Sequence, residues 1–109
     1  MDMKDLERCL NEAKDQRHIV IVTDGVFSMD GDIAPLRDIV DLAKKFKAYT
    51  FVDECHATGV LGMTGRGTPE YFGLEKGDID VISSTLGKAL GGGTGGYTAG
   101  SKAVVGILR

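Results

Sequence analysis

Tryptophan is missing from this sequence, and proline and cysteine occur only twice each in its 109 residues. Cys9 and Cys55 lie far apart and form no Cys-x-x-Cys pair, which argues against a disulfide framework and for a reducing compartment. No apolar run approaches the roughly 18 residues of a membrane span, so no membrane partner is expected. The N-terminal Met1-Asp2-Met3-Lys4-Asp5 has no apolar core of a signal segment. Thirteen basic residues against sixteen acidic ones leave a net charge of -3, and aromatics make up 6%. That provides neither the basic field nor the stacking platforms that nucleic-acid binding uses. Glycine, by contrast, is abundant at sixteen residues, and it clusters. The length allows one small domain at most.

The hydrophobic pattern predicts an α/β chain. Leu6, Cys9, Leu10 and Ala13 recur at helical spacing over about residues 3 to 16. On that face Cys9 reads as a small buried hydrophobe. Ile19-Val20-Ile21-Val22 is a β-branched run of strand length, suited to a parallel strand buried on both faces. Pro35 fits the first turn of a second helix, whose inward stripe is Leu36, Ile39, Val40, Ala43 and Phe46. Thr50-Phe51-Val52 is the next strand, so a parallel strand–helix–strand unit is expected. Asp53 to Pro69 reads as loop, with Thr68 capping a short helix over Pro69 to Phe72 that Gly73 stops. Ile79 to Ile82 is a third strand, Tyr97 to Ala99 a further one, and a helix begins at Lys102. The chain enters a helix almost at once and stops at Arg109 inside an apolar-periodic segment, so a piece of a longer protein is expected.

Asp24, Asp53 and the run from Ser83 then fall at the C-terminal ends of parallel strands, where open α/β sheets place their ligands. The run sets Lys88 among Gly87, Gly91, Gly92, Gly93, Gly95 and Gly96, with Thr85 three residues upstream. Lys88 reads as a Schiff-base amine, a phosphate clamp or a solvated charge. The Walker A pattern fails, because Ala89 follows Gly87-Lys88 and Ile82 stands where the first glycine belongs. Gly91-x-Gly93-x-x-Gly96 matches a dinucleotide fingerprint by letter, yet it precedes its best strand and has no acidic partner downstream.

Asp53 can hold a metal through water or pair with a protonated ring nitrogen. Asp53, Cys55 and His56 are too few correctly spaced ligands for structural zinc. Ser28 reads as a turn former or as a hydroxyl aimed at a ligand over the sheet edge, and no Gly-x-Ser-x-Gly elbow surrounds it. Asp53-Glu54-Cys55-His56 also spells the DECH form of a DExH-box helicase motif, with Ser83-Ser84-Thr85 similar to its hydroxyl motif. A nucleotide-driven helicase is therefore the competing class, although it leaves Lys88 and its glycines unexplained.

Thr23 to Asp32, Val52 to Gly67 with its Gly62-x-x-Gly65-Arg66-Gly67, and Thr85 to Tyr97 together resemble fold-type I enzymes that use pyridoxal phosphate. More narrowly, they resemble the α-oxoamine synthases. The resemblance runs from about Leu6 to the end and implies that residues 1–109 are the central part of a large, mostly parallel-sheet cofactor domain. Asp53 to Gly59 and Ser84 to Gly92 look closest to the branch that converts 2-amino-3-oxobutanoate and CoA to glycine and acetyl-CoA in threonine breakdown. Other branches, of the 5-aminolevulinate, 8-amino-7-oxononanoate and serine palmitoyl types, share the cofactor residues and differ mainly in their acyl-CoA.

The resemblance implies pyridoxal 5'-phosphate held covalently on Lys88, which would also move protons at the substrate α-carbon. It implies that Asp53 pairs with the pyridinium nitrogen and that His56 contacts the ring's phenolic oxygen. Ser28 would be a further cofactor-contacting hydroxyl, and Thr85 a phosphate contact. It implies a homodimer, mitochondrial in animals and cytoplasmic in bacteria. A phosphate-binding turn, a ring-stacking histidine and a carboxylate-binding arginine would come from segments outside these residues. Gly93-Thr94 stands where the nearest branch is expected to have Ala-Ser.

Overall fold

In the computed structural model, which describes residues 1–109, nine elements follow one another. They are α1 (Met3–Glu12), β1 (Val20–Asp24), α2 (Leu36–Phe46), β2 (Tyr49–Asp53), α3 (Thr68–Tyr71), β3 (Val81–Thr85), α4 (Leu86–Ala89), β4 (Gly96–Gly100) and α5 (Lys102–Ile107). The sheet order is β1-β2-β3-β4. The first three strands are parallel, and β4 runs antiparallel to β3. The expected mostly parallel sheet is therefore present.

Side-chain oxygens of Asp2, Thr85 and Ser101 cap the starts of α1, α4 and α5. The Asp2 carboxylate accepts from Lys4 N and Asp5 N at the head of α1. Pro35 stands at the cap position of α2, one residue earlier than expected, where its lack of an N–H costs nothing. Lys44 and Lys45 occupy the last turn of α2, and Lys47 ends the helix in the left-handed conformation, φ 54°.

The core lies between α2, α1 and one face of the sheet. Leu36, Ile39 and Ala43 pack with Leu10, Ile21, Ala34 and Val52, and Phe46 packs against the edge of this cluster. Side chains alternate across a strand. Ile21, Thr50 and Val52 therefore face the helices, while Val20, Val22 and Tyr49 face the other way. Val20 is 55% exposed and Val22 69%. Within residues 1–109 the expected burial of β1 on both faces is therefore not met, because helices cover only one face of the sheet.

Cys9 is also corrected: it is exposed, not buried. The inward stripe of α1 is Met3, Leu6 and Leu10. One residue turns a helix by about 100°, so the neighbour of Leu10 is carried round to solvent. The third strand lies two to three residues later than expected, at Val81–Thr85, because its whole length pairs with β4. Ser83, Ser84 and Thr85 consequently belong to the sheet.

Leu36 is fully buried at the centre of the core. Leu36→Ala in the full-length protein should cost about 3 kcal/mol, read from denaturant unfolding.

Candidate active site

Parallel pairing places the polar strand ends in one row. Asp24 stands opposite Asp53, and Asp53 stands opposite Ser83. All three point to the face of the sheet that the helices leave uncovered. The register thus gathers two carboxylates and a hydroxyl from residues far apart in sequence.

β3 then leads directly into α4. The Thr85 hydroxyl accepts from Gly87 N at 3.1 Å and donates to Gly95 O at 3.2 Å. Leu86 N donates to the same Gly95 carbonyl at 2.9 Å. The glycine run is pinned back against the start of α4 as it turns into antiparallel β4. Gly92 and Gly95 have φ of 77° and 95°, values that a side chain would strain.

Lys88 projects from this short helix into the open, and its Nζ lies 2.9 Å from His56 Nε2. An ammonium only donates. With Lys88 charged, His56 Nε2 accepts and the ring proton sits on Nδ1. His56 itself follows β2 in a turn whose approach to α4 depends on Gly59. There φ is 83°, and a Cβ would meet Ala89 Cβ at 3.2 Å. The far part of the loop is fastened by Glu70, which accepts from Thr64 N, Thr64 Oγ1 and Arg66 N. Those bonds, the Thr64 hydroxyl first, hold the Glu70 carboxyl below its usual range.

Asp53 accepts from Cys55 N at 2.8 Å. Burial, followed by a hydrogen bond to Asp53, pushes the Cys55 thiol up. Of the sequence-predicted residues, the structure brings Lys88 and His56 into contact and puts Asp53 and Thr85 on adjacent strand ends. Ser28 stands apart, exposed in the turn between β1 and α2, and its hydroxyl bonds none of the other four.

Two residues have roles the sequence reading missed. Glu54 is 1% exposed and accepts from Thr68 N at 2.8 Å and from Thr68 Oγ1. Thr68 is therefore the first residue of α3 and a partner of Glu54; the expected capping role is corrected, since its hydroxyl is already spent. Strand alternation was the available signal, because it sends Glu54 to the same face as Val52. An inward carboxyl needs a partner. Below the sheet, the Ser84 hydroxyl donates to Thr58 Oγ1 at 2.9 Å, and Tyr97 OH lies 3.5 Å beyond.

The residues fit pyridoxal phosphate. A primary amine stands free on a glycine-flanked turn, a carboxylate lies at a neighbouring strand end and an imidazole lies at the amine. A Cβ at Gly91, Gly92 or Gly95 would meet nothing within 4 Å, so the glycine run that follows α4 is open on that side.

The model of the family "Aminotransferase class I and II" matches residues 1–109, and the chain belongs to that family. The family is one of pyridoxal-phosphate enzymes, and the chain's relatives within it are α-oxoamine synthases. It is 58% identical to mouse 2-amino-3-ketobutyrate coenzyme A ligase, mitochondrial, over all of this chain and 26% of that one. It is 54% identical to 8-amino-7-oxononanoate synthase 1 of Bacillus subtilis, over all of this chain and 27% of that one. Among solved structures, serine palmitoyltransferase from S. paucimobilis with PLP and myriocin bound superposes with a TM-score of 0.89. The identity there is 37%, over 99% of this chain and 28% of that one. The chain thus spans about a quarter of the length of the relatives it matches. Family membership over the whole chain displaces the helicase reading. Its second carboxylate, Glu54, is buried on Thr68 and has no access to a nucleotide-bound metal.

Burial raises the Glu54 carboxyl above its ordinary 4.5, outweighing the opposing bonds from Thr68. The folded protein therefore holds that proton more tightly than the unfolded chain. The resulting stability is full below 4.5 and is lost as pH rises through the raised value. Glu54→Gln does not titrate, so its melting temperature relative to the parent should climb as pH rises from 4.5 through the raised value. Thermal unfolding of the full-length protein at a series of pH values measures this.

Proposed function

We propose that the protein carrying these residues is a pyridoxal-phosphate acyltransferase that interconverts 2-amino-3-oxobutanoate plus CoA with glycine plus acetyl-CoA. Residues 1–109 form the central part of its cofactor-binding domain. The observation that carries the reading is the Lys88 amine at 2.9 Å from His56, beside the in-register row of Asp24, Asp53 and Ser83. The 58% identity to the mouse ligase supports this branch of the family.

Bound pyridoxal phosphate supplies an electron-withdrawing ring that stabilises negative charge on the substrate α-carbon. Lys88 is the residue that holds the cofactor covalently. Its amine would move the proton to or from the substrate α-carbon. Asp53, at the end of β2, would pair with the protonated ring nitrogen and so support the ring's electron demand. His56 orients the Lys88 amine and contacts the phenolic oxygen, and Thr85 contributes to the phosphate site. Ser28, exposed in its turn after β1, would add a hydroxyl contact from that side.

In the degradative direction the bond between the α-carbon and the acetyl carbonyl breaks. The acetyl group would pass to the CoA sulfur as the thiol gives up its proton, and a proton from Lys88 would complete glycine, so one proton is released for each taken up. The protein acts as a homodimer, and the remaining cofactor and substrate contacts come from outside these residues. The exposed sheet face with Val20, Val22 and Tyr49 is where the rest of the large domain packs. The compartment follows the source, mitochondrial as named for the mouse relative, or cytoplasmic in a bacterium.

The identity to 8-amino-7-oxononanoate synthase 1 supports a second reading, with a longer acyl donor. Full-length protein assayed with glycine, alanine or serine against acetyl-, succinyl-, pimeloyl- and palmitoyl-CoA should turn over glycine with acetyl-CoA fastest. Preference for pimeloyl-CoA would move the assignment to the second reading. Lys88→Ala should lose the absorption band of the lysine-bound cofactor, and retention of that band would contradict the role of Lys88.

A further inference from the structure

Glu54 is the one buried carboxyl in the chain that the proposed chemistry leaves unused. Its backbone already joins three parts of the site. Glu54 N donates to Ser83 O at 2.7 Å, tying β2 to the end of β3. Glu54 O accepts from Ala57 N at 3.0 Å and Thr58 N at 2.9 Å, which forms the turn that carries His56.

The side chain extends the connection to two further segments. It accepts from Thr68 N at 2.8 Å and from the Thr68 hydroxyl. Two glycines press directly on its oxygens. A Cβ at Gly25 would lie 2.0 Å from Oε1, and a Cβ at Gly67 would lie 1.9 Å from Oε2. Neither position admits a side chain while Glu54 holds its place. Gly25 N also donates to Asp53 O at 2.8 Å, so the turn after Asp24 is held by both Asp53 and Glu54. No cation pairs with this carboxyl, and the ionisable group that acts on it is Asp53. Of the elements packed against it, the β1 turn brings Gly25, and the loop into α3 brings Gly67 and Thr68.

We propose that Glu54 is a positioning residue. Its buried carboxyl locks the Gly25 turn and the Gly67–Thr68 turn beneath the sheet edge, and so sets where its sequence neighbours Asp53 and His56 meet the cofactor. This deepens the functional reading above and rests on it for the identity of the cofactor. Hydrogen-bond pattern is what the socket demands. The carboxyl accepts from Thr68 N with one oxygen and from the Thr68 hydroxyl with the other. A glutamine amide keeps an acceptor for Thr68 N and sets its NH2 on Thr68 Oγ1, a hydroxyl that can turn to accept, at nearly the same volume. Alanine reproduces neither, and leaves the Thr68 amide without its partner in a buried void.

The test uses full-length protein, Glu54→Gln, Glu54→Ala and Thr68→Val, titrated with pyridoxal phosphate. Glu54→Ala should weaken cofactor binding roughly tenfold or more, by the scale seen for groups that orient binding residues. It should also move the pH midpoint of the bound cofactor's absorbance. Glu54→Gln should keep both close to the parent, and Thr68→Val should move both in the same direction as alanine. Hydrogen exchange on the cofactor-free proteins should show faster exchange at Gly25, Ala57 and Thr58 in Glu54→Ala. If Glu54→Ala does not fold, Thr68→Val alone decides. Unchanged affinity and midpoint in a folded Glu54→Ala or in Thr68→Val, or a glutamine variant as impaired as alanine, would overturn the proposal. A parent protein that binds no pyridoxal phosphate would instead remove the functional reading. In that case unaltered exchange at the three amides would still overturn the role of Glu54.

Discussion

Parallel pairing of β1, β2 and β3 is the constraint on which the rest depends. Strands that run the same way must each be followed by a crossover, so their C-terminal ends and the loops that leave them gather on one edge. Here the register makes that edge a straight row of Asp24, Asp53 and Ser83. The other candidate residues follow it within a few positions: His56 after β2, and Lys88 after β3. The antiparallel β4 then serves a different purpose. By returning along β3 it folds the glycine run back onto α4, which lets Thr85 and Leu86 share the Gly95 carbonyl.

The sheet also divides labour between its two faces. Above it, the uncovered face displays the polar row together with Val20, Val22 and Tyr49. Below it, α2 and α1 pack on Ile21 and Val52, and the same face holds a second polar layer of Glu54, Thr68, Ser84 and Thr58. That lower layer lies on the side of the sheet away from the polar row. It braces the loop from Cys55 to Gly67, whose glycines allow approaches that a methyl group would block at Glu54 and Ala89. A site built on loops gains precision from such a supporting layer.

Much of this was legible in the residues. The stripe of Leu36, Ile39, Val40 and Ala43 announced α2, because helical periodicity over eleven residues leaves little ambiguity. Asp53 and Lys88 stood out because each follows a β-branched run and precedes glycine-rich loop. The errors have specific causes. Cys9 satisfied an i, i+3 spacing with Leu6 but lies a hundred degrees from Leu10, so spacing to one neighbour misled. The apolar run at Ile19 was read as buried on both faces, yet a run of that kind records only what the strand is made of, not what covers it. β3 was placed too early because serines and threonines give a weak apolar signal, and it is pairing with β4 that makes them strand. Thr68 was read locally as a cap, since nothing near it in sequence reveals a partner fourteen residues upstream.

The central claim is that the amine gathered to the sheet edge by α4 is the cofactor's attachment point. Its most direct test is to incubate the full-length protein with pyridoxal phosphate, reduce the carbon–nitrogen double bond with borohydride, and map the modified lysine by mass spectrometry. The account predicts the label on the peptide that contains Lys88. Label on Lys76 or Lys102 in its place, or no label on any lysine, would contradict it.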